Sequence, residues 1–221
     1  MSMQSTAKQI AARSFSRAEF IADAVVHLIG LAFGIGACTA LAVLVILKPD
    51  LSRLVSLSIY GLGLMAMLVC SALYNMTSHA EWKALFRRFD HAAIFVMIAG
   101  SYTPFSLIVI GGNWGIGLLA FVWLVAIAGV IVKLLDPGRH ERLSVVAYLL
   151  LGWAVLAVLR PLLNNASLAG LILLLGGGAL YSIGVVFHMW ERLPYQRAIW
   201  HVFVLAAAAC HFSAILLEVA I

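Results

Sequence analysis

Long apolar runs separated by short polar stretches dominate the pattern of this chain. Each run is close to the about 20 residues that a helix needs to cross a bilayer. An open β-sheet is excluded because its edge groups would lack hydrogen-bond partners in lipid. The pattern therefore predicts an all-α membrane protein with seven spans. These are residues 22–47, 55–77, 91–110, 115–133, 144–163, 168–189 and 199–219.

The polar connections between the runs are short, and the longest covers residues 78–90. Short connections make consecutive spans antiparallel neighbours. We find no internal repeat, which disfavours an inverted-repeat transporter. We therefore expect one seven-span integral membrane domain over residues 1–221, in which residues 1–20 form a cytoplasmic N-terminal segment.

Composition and charge add an orientation to this picture. The chain is 64% hydrophobic and only 10% charged, whereas soluble domains are about a quarter charged. Three basic residues lie on one side of the predicted spans: Lys48, Arg53 and Arg160. Eleven lie on the other: Lys8, Arg13, Arg17, Lys83, Arg87, Arg88, Lys133, Arg139, Arg142, Arg192 and Arg197. The asymmetry predicts a cytoplasmic N-terminus and an outside C-terminus. It also accounts for the formal charge of +5, so that no nucleic-acid partner is expected.

Glycines and one proline predict how the spans pack and bend. Gly30 and Gly34 are spaced as in close helix pairs, and residues 176–178 are three consecutive glycines. Pro104 is expected to kink the third span. The hydroxyls just before it in the chain, at residues 101–103, are placed to satisfy the carbonyls that a kink frees.

Polar residues within or at the ends of the spans gather at the predicted cytoplasmic end. They are Asp23 and His27 in the first span, Ser71 and Asn75 in the second, Asp90 and His91 in the third, and Arg197 and His201 in the seventh. Burying such groups costs several kcal/mol unless they are partnered, which makes them the functional candidates. Residues four apart share a helix face, so the sequence predicts one converging cluster. His211 is expected about 15 Å deeper, on a different face.

Ordinary structural uses of these residues stay open from the sequence alone. Ser71 has the option of bonding a carbonyl of its own helix. Asp90 has Arg87 and Arg88 nearby, at what is expected to be a helix start that suits an acid. Arg197 is also explained as one more positive-inside residue.

Five segments carry a family resemblance over nearly the whole chain. They are SALYN (71–75), FDHAAI (89–94), AGSYTPF (99–105), RLPYQRAIWHVFV (192–204) and CHF (210–212). The chain resembles the bacterial hemolysin III family, the prokaryotic branch of the progestin and adipoQ receptor superfamily. The resemblance implies a seven-span bundle and a zinc site of three histidines near the cytoplasmic face. It also implies metal-dependent hydrolysis of a lipid amide or ester. Ser71 and Asp90 would complete the site, and zinc would activate a water held against Asp90.

This sequence departs from the family pattern at the implied zinc ligands. Asn75 replaces one histidine and Arg197 a second, which leaves His201. An arginine has no lone pair for a metal, and Asn is a poor zinc ligand. We therefore hypothesise that Arg197 replaces the charge of the metal and pairs with Asp90. Zinc stays the alternative, with His79 or His211 recruited as a substitute ligand.

These observations favour a divergent hemolysin III family protein of the bacterial inner membrane, with a role in cytolysis or membrane homeostasis, as a degenerate relative of zinc-dependent lipid amide hydrolases that has lost the metal site. We accordingly expect no cofactor, with zinc as the alternative. The first alternative is an active ceramidase-like metal hydrolase that uses Ser71, Asp90 and His201. The second is a pore, which we disfavour because the outer half of the bundle offers only Ser101, Thr103 and small residues. Membrane lipid is the expected partner, and the sequence leaves the oligomeric state open.

Overall fold

The computed structural model describes residues 16–136 and 141–220, and this part of the chain is a bundle of helices without strands. The helices are α1 (Arg17–Leu47), α2 (Leu51–Met76), α3 (Ala80–Pro104), a π-helix (Phe105–Ile110), α4 (Gly112–Leu135), α5 (Glu141–Gly152), a 3₁₀ turn (Ala154–Val158), α6 (Leu159–Asn165), α7 (Leu168–Met189) and α8 (Gln196–Ala220). Together they make seven helical segments that are long and apolar enough to span a membrane. The predicted seven-span all-α fold is confirmed.

The central helix of the bundle is α3. Its span is 61% buried, whereas no other span exceeds 39%. Helix α2 packs most extensively on α3, and α7 packs on α8. Helix α1 contacts both α2 and α8, so the first and last spans are neighbours. We call the side on which α1 begins the N-terminal side of the bundle.

The orientation of the bundle in the membrane stays a prediction. Most of the predicted N-terminal segment, residues 1–15, lies outside the described residues. Two of the basic residues used for the orientation, Lys8 and Arg13, are among them. Arg139 and His140, in the connection before α5, also lie outside the described residues.

The third span begins earlier than its hydropathy indicates. The sequence predicts a connection over residues 78–90, but α3 starts at Ala80. The residues that follow are charged helix formers, which hydropathy misses because only the lipid-embedded part of a helix must be apolar. Asp90 consequently lies in the third turn of α3, where Glu81 occupies the first turn. The interpretation of Asp90 as an acid at a helix start is wrong.

The fifth span is broken rather than continuous over residues 144–163. Helix α5 ends at Gly152, and the chain resumes as the 3₁₀ turn and α6. The Tyr102 hydroxyl donates to the Gly152 carbonyl (2.7 Å) and accepts from the Val155 N–H (2.9 Å). Pro161 follows and cannot donate a helical hydrogen bond. The phenol thus supplies partners for a break that lipid would otherwise not tolerate.

The disturbance predicted at Pro104 takes the form of a change from α-helix to π-helix at Phe105. The neighbouring hydroxyls bond carbonyls of their own helix, but neither acceptor is the Gly100 carbonyl that Pro104 leaves without its usual donor. Thr103 donates to Ala99 and Ser101 donates to Ile98, both at 2.8 Å.

Glycines permit close helix packing at two of the predicted places. A Cβ on Gly34 would lie 2.6 Å from the Leu68 side chain of α2. A Cβ on Gly177 would overlap the ring of His211 in α8, whereas one on Gly176 would meet nothing within 4 Å. Within the glycine run, Gly177 is therefore the position at which α7 and α8 need a missing side chain.

Candidate functional site

A carboxylate and two imidazoles from α1 and α8 meet at the N-terminal side of the bundle. Asp23 and His27 are one turn apart on α1, and both are buried. Asp23 Oδ1 lies 2.6 Å from His201 Nδ1 and 3.7 Å from His27 Nε2. The two imidazole rings are 4.4 Å apart and tilted by 53°. A single carboxylate oxygen therefore faces both histidines.

The other nitrogen of His201 faces α2. Ser71 Oγ lies 3.5 Å from His201 Nε2. One turn further along α2, the buried Asn75 amide donates to the Ser71 carbonyl (3.0 Å) and lies 3.5 Å from Ser71 Oγ. The i, i+4 pair on α2 thus contacts the cluster as one face, as its spacing predicts.

The start of α8 is held in place by the start of α1. Ser16 and Glu19 form a capping box, in which each side chain bonds the other's backbone N–H. Glu19 also accepts from the N–H of Tyr195 (2.9 Å), a residue with φ of 58° immediately before α8. Gln196 in turn donates to the His188 carbonyl at the end of α7. These bonds fix the register that brings His201 to Asp23.

A cavity of about 720 Å³ opens beside this cluster. It extends along α3 from Asp90 to Tyr102, about 18 Å at the rise of an α-helix. Its polar end is lined by Ser71, Asn75, Asp90, Arg197 and His201. Further along, the lining is mostly apolar and includes Met97, Ile98, Leu149, Trp153, Val204 and Leu205, with Ser101, Tyr102, Tyr181, Ser182 and His211 among them. The volume is in the range of sites that bind small organic ligands.

Most of the sequence-predicted residues line this cavity. Asp90 is half-buried there, with the Ser71 hydroxyl as a hydrogen-bonding partner. Arg197 lines the same end, and its pairing with Asp90 stays a prediction. His91 lines the wall, where its ring meets Tyr74 edge-on at 6.4 Å.

His211 and His27 differ in how their nitrogens are satisfied. His211 lies deep in the bundle, away from the cluster, and its Nε2 is 3.2 Å from the Leu174 carbonyl. His27 is only 8% exposed, and within the described part of the chain its Nε2 has no hydrogen-bond partner. The structural use of His211 therefore has a named partner, whereas His27 keeps one buried nitrogen available.

Two features of the site are not visible in the sequence. Lys133, which we counted only as a positive-inside residue, is 1% exposed and lines the cavity. A basic residue near the end of a span gives the same sequence signal whether it faces water or the bundle interior. The partnership of Asp23 with His201 joins residues 178 positions apart, for which a single sequence carries no signal.

The three-histidine zinc set that the resemblance implies does not fit this chain. Asn75 donates its amide to a carbonyl, and the guanidinium of Arg197 has no lone pair to bind a metal. Neither substitute joins His201 among the described residues, where the ligand atoms grouped with it come from Asp23 and His27, and His211 Nε2 lies against the Leu174 carbonyl.

A different group has suitable donor types for a metal ion. Asp23, His27 and His201 offer ligand atoms that all lie within 4.8 Å of one another. Two ligands of a tetrahedral zinc lie about 3.3 Å apart, because each bond is about 2.0–2.1 Å long. The 2.6 Å between Asp23 Oδ1 and His201 Nδ1 is shorter and fits a hydrogen bond.

Comparison with known proteins gives a family match and relatives that agree with it. The model of the family described as Haemolysin-III related matches residues 16–212. Hemolysin-3 of Bacillus cereus is 38% identical over 91% of this chain and 92% of its own length. The Hemolysin-3 homolog of Bacillus subtilis (strain 168) is 37% identical over 91% and 95%. The human Monocyte to macrophage differentiation factor is 32% identical over 76% and 72%.

Proposed function

Because the chain belongs to the haemolysin-III related family, we propose that it is a multi-pass bacterial membrane protein that hydrolyses an acyl bond of a membrane amphiphile. The bond is an ester or an amide, and the amphiphile enters the interhelical cavity from the membrane. We further propose the inner membrane as its location, with the N-terminal side of the bundle facing the cytoplasm, as the basic residues favour.

The observation that carries this proposal is the two-part lining of the cavity. One end presents a hydroxyl, a carboxylate and an imidazole, from Ser71, Asp90 and His201. The rest is mostly apolar, with a few hydroxyls and His211 among the lining residues, over a length that suits an acyl chain. An amphiphile with its carbonyl at the polar end and its chain along α3 would bury apolar surface while its reactive group meets Ser71.

The hydrolysis is tested with purified protein in vesicles that contain either an N-acyl amide such as ceramide or a diacyl phospholipid. We expect release of fatty acid from at least one of these, and loss of that release in His201→Ala. Ser106→Ala is the matched control, because Ser106 is buried in the π-helix, outside the cavity lining. Release that equals that of empty vesicles for both lipid classes would contradict the proposal.

A lytic role is the second candidate, and the names of the two Bacillus relatives favour it. Dye-loaded vesicles separate a pore from a hydrolase. A pore releases dye at once and does not need His201, whereas hydrolysis releases dye slowly, in step with fatty acid, because single-chain products accumulate. We expect the second behaviour. A contribution to membrane homeostasis would follow from the same change in lipid composition.

A further inference from the structure

We infer that Ser71, His201 and Asp23 form a nucleophile–base–carboxylate relay, through which hydrolysis passes by a covalent acyl intermediate on Ser71. The inference rests on the proposed function for its substrate class and assigns the chemistry of that site. It gives this chain a route to hydrolysis that uses none of the histidines missing from the family pattern.

The tautomer of His201 is the first step of the argument. Asp23 Oδ1 and His201 Nδ1 are 2.6 Å apart, and the side chains are 5% and 12% exposed. A carboxylate only accepts, so the proton of this short bond lies on Nδ1. A neutral imidazole protonated at Nδ1 keeps its lone pair at Nε2. That nitrogen is the one that faces Ser71.

The position of the serine is the second step. Ser71 Oγ is 3.5 Å from His201 Nε2, and its hydroxyl also has Asp90 as a hydrogen-bonding partner, so the relay requires that its proton turns from Asp90 to Nε2 when substrate binds. Such contacts are often long before substrate binds and shorten in the complex. A base held in its tautomer by a third group, beside a hydroxyl, is the arrangement that activates serine nucleophiles.

The packing of His27 supports the same assignment. Its ring lies against that of His201 at 4.4 Å and limits how the His201 imidazole can turn. Metal binding by the three residues and the relay exclude each other, because an Nδ1 that donates to Asp23 has no lone pair for an ion. The 2.6 Å distance favours the relay.

The reaction balances with water as the co-reactant. Ser71 Oγ attacks the acyl carbonyl carbon while its proton passes to His201 Nε2. The bond from carbon to the leaving oxygen or nitrogen breaks, and the leaving group takes that proton, which yields an alcohol or amine and acyl-Ser71. A water then attacks the ester and gives a proton to His201, which returns it to Ser71 Oγ as the fatty acid leaves. Asn75 Nδ2, 3.5 Å from Ser71 Oγ, is a donor close to the developing oxyanion.

The test uses a long-chain alkyl fluorophosphonate on the purified full-length protein in detergent, in the presence and absence of a zinc chelator. Serine nucleophiles displace fluoride and form a stable bond from oxygen to phosphorus. We expect one adduct, located at Ser71 by mass spectrometry, equal with and without chelator. It should disappear in Ser71→Ala and persist in Ser106→Ala, with thermal unfolding showing that both variants are folded.

A zinc measurement on the same samples completes the test. We expect less than one zinc per ten chains, and we use Asn75→His/Arg197→His, which restores the implied histidines, as the reference for a zinc-binding variant. Absence of the Ser71 adduct would overturn the relay. So would an adduct that needs stoichiometric zinc held by Asp23 and His201. Labelling without lipid hydrolysis would support the relay and contradict the proposed substrate. Lipid hydrolysis without labelling would support the proposed substrate and contradict the relay.

Discussion

Helix α8 carries a carboxylate contact at each end, and the two contacts are built differently. Near its C-terminus, Glu218 accepts from the N–H (3.1 Å) and the hydroxyl of Ser167, the N-cap of α7. Near its N-terminus, His201 bonds Asp23, with His27 beside it. One carboxylate is satisfied by a helix terminus, and the other by side chains that line or adjoin a cavity.

The difference separates a structural contact from a candidate site. The N-cap geometry of Ser167 and the positive end of α7 hold Glu218, and a Cβ on Gly170 would overlap its carboxylate. Neither Ser167 nor Glu218 lines the cavity. At the other end, the second nitrogen of His201 faces a serine and the cavity. Helix α8 therefore contributes Glu218 to a contact that holds two helices together, and at its other end it contributes His201, which lies between the Asp23 carboxylate of α1 and the cavity.

The largest effect is expected from removing the charge of Asp23. In Asp23→Asn the charge is lost and the amide nitrogen can donate to His201 Nδ1, which favours the tautomer protonated at Nε2 and leaves that nitrogen unable to accept from Ser71. We expect the rate of fluorophosphonate labelling at Ser71 to fall about 10³- to 10⁴-fold with folding intact, as in other relays of this kind. Glu218→Gln is the matched control at the other end and should keep the rate. Equal rates for the two variants would remove the distinction between the two ends.

The next effect concerns stability at the Glu218 end. Glu218→Ala leaves the N–H and hydroxyl of Ser167 without their acceptor and removes a charge that suits the start of α7. We expect a loss of about 2–4 kcal/mol in the free energy of unfolding, since hydrogen bonds to charged groups contribute about 1.5–3 kcal/mol each.

Thermal unfolding in detergent measures this change, and Ser71 labelling at low temperature should proceed at the rate of the unaltered protein. A labelling rate that falls together with stability would show that the two ends of α8 are coupled, against the comparison.

The two ends also differ in how well the sequence predicts them. The N-terminal cluster follows from polar residues in apolar runs, from the i, i+4 pairs and from antiparallel neighbours, all of which are local signals. Glu218 carries no such local signal, and the expectation that the outer half offers only Ser101, Thr103 and small residues is wrong. A single acidic residue at the end of the last span is typical of a solvated helix end. Only the structure shows that Glu218 contacts Ser167.

The break in the fifth span was missed for a related reason. Hydropathy measures whether a segment prefers lipid to water, and residues 144–163 are apolar over most of their length. It carries no information on whether the backbone inside that segment is helical. That depends on the hydroxyl of Tyr102, 50 and 53 positions away from Gly152 and Val155. Tertiary contacts that replace helical hydrogen bonds do not change the spacing of apolar and polar residues, so the sequence pattern does not indicate them.

Between the two ends, Tyr102 gives the third prediction. Tyr102→Phe removes one hydroxyl that serves both sides of the break, so the Gly152 carbonyl and the Val155 N–H both lose a partner. We expect destabilisation by about 1–3 kcal/mol, the penalty for leaving buried polar groups unsatisfied. Thermal unfolding is the readout, and hydrogen exchange confined to residues 152–158 would localise the effect. An unchanged melting temperature would mean that other groups satisfy the break.

The smallest effect, and one of opposite sign, is expected from a hydroxyl that has no cavity beside it. Tyr60 is 0% exposed in the core of α2, and within the described residues its hydroxyl lacks a hydrogen-bond partner, as does His27 Nε2. The two orphans differ because His27 lines the cavity, where a substrate or water can reach it, whereas Tyr60 does not. Tyr60→Phe should therefore raise the free energy of unfolding by up to about 1 kcal/mol. The buried hydroxyl loses its hydrogen bonds to water on folding and gains none within the protein, so that its removal is stabilising. A decrease of more than about 1 kcal/mol in the free energy of unfolding would show that Tyr60 has a further partner, such as a buried water. A buried polar atom without a protein partner would then not be enough to distinguish a binding site from the core.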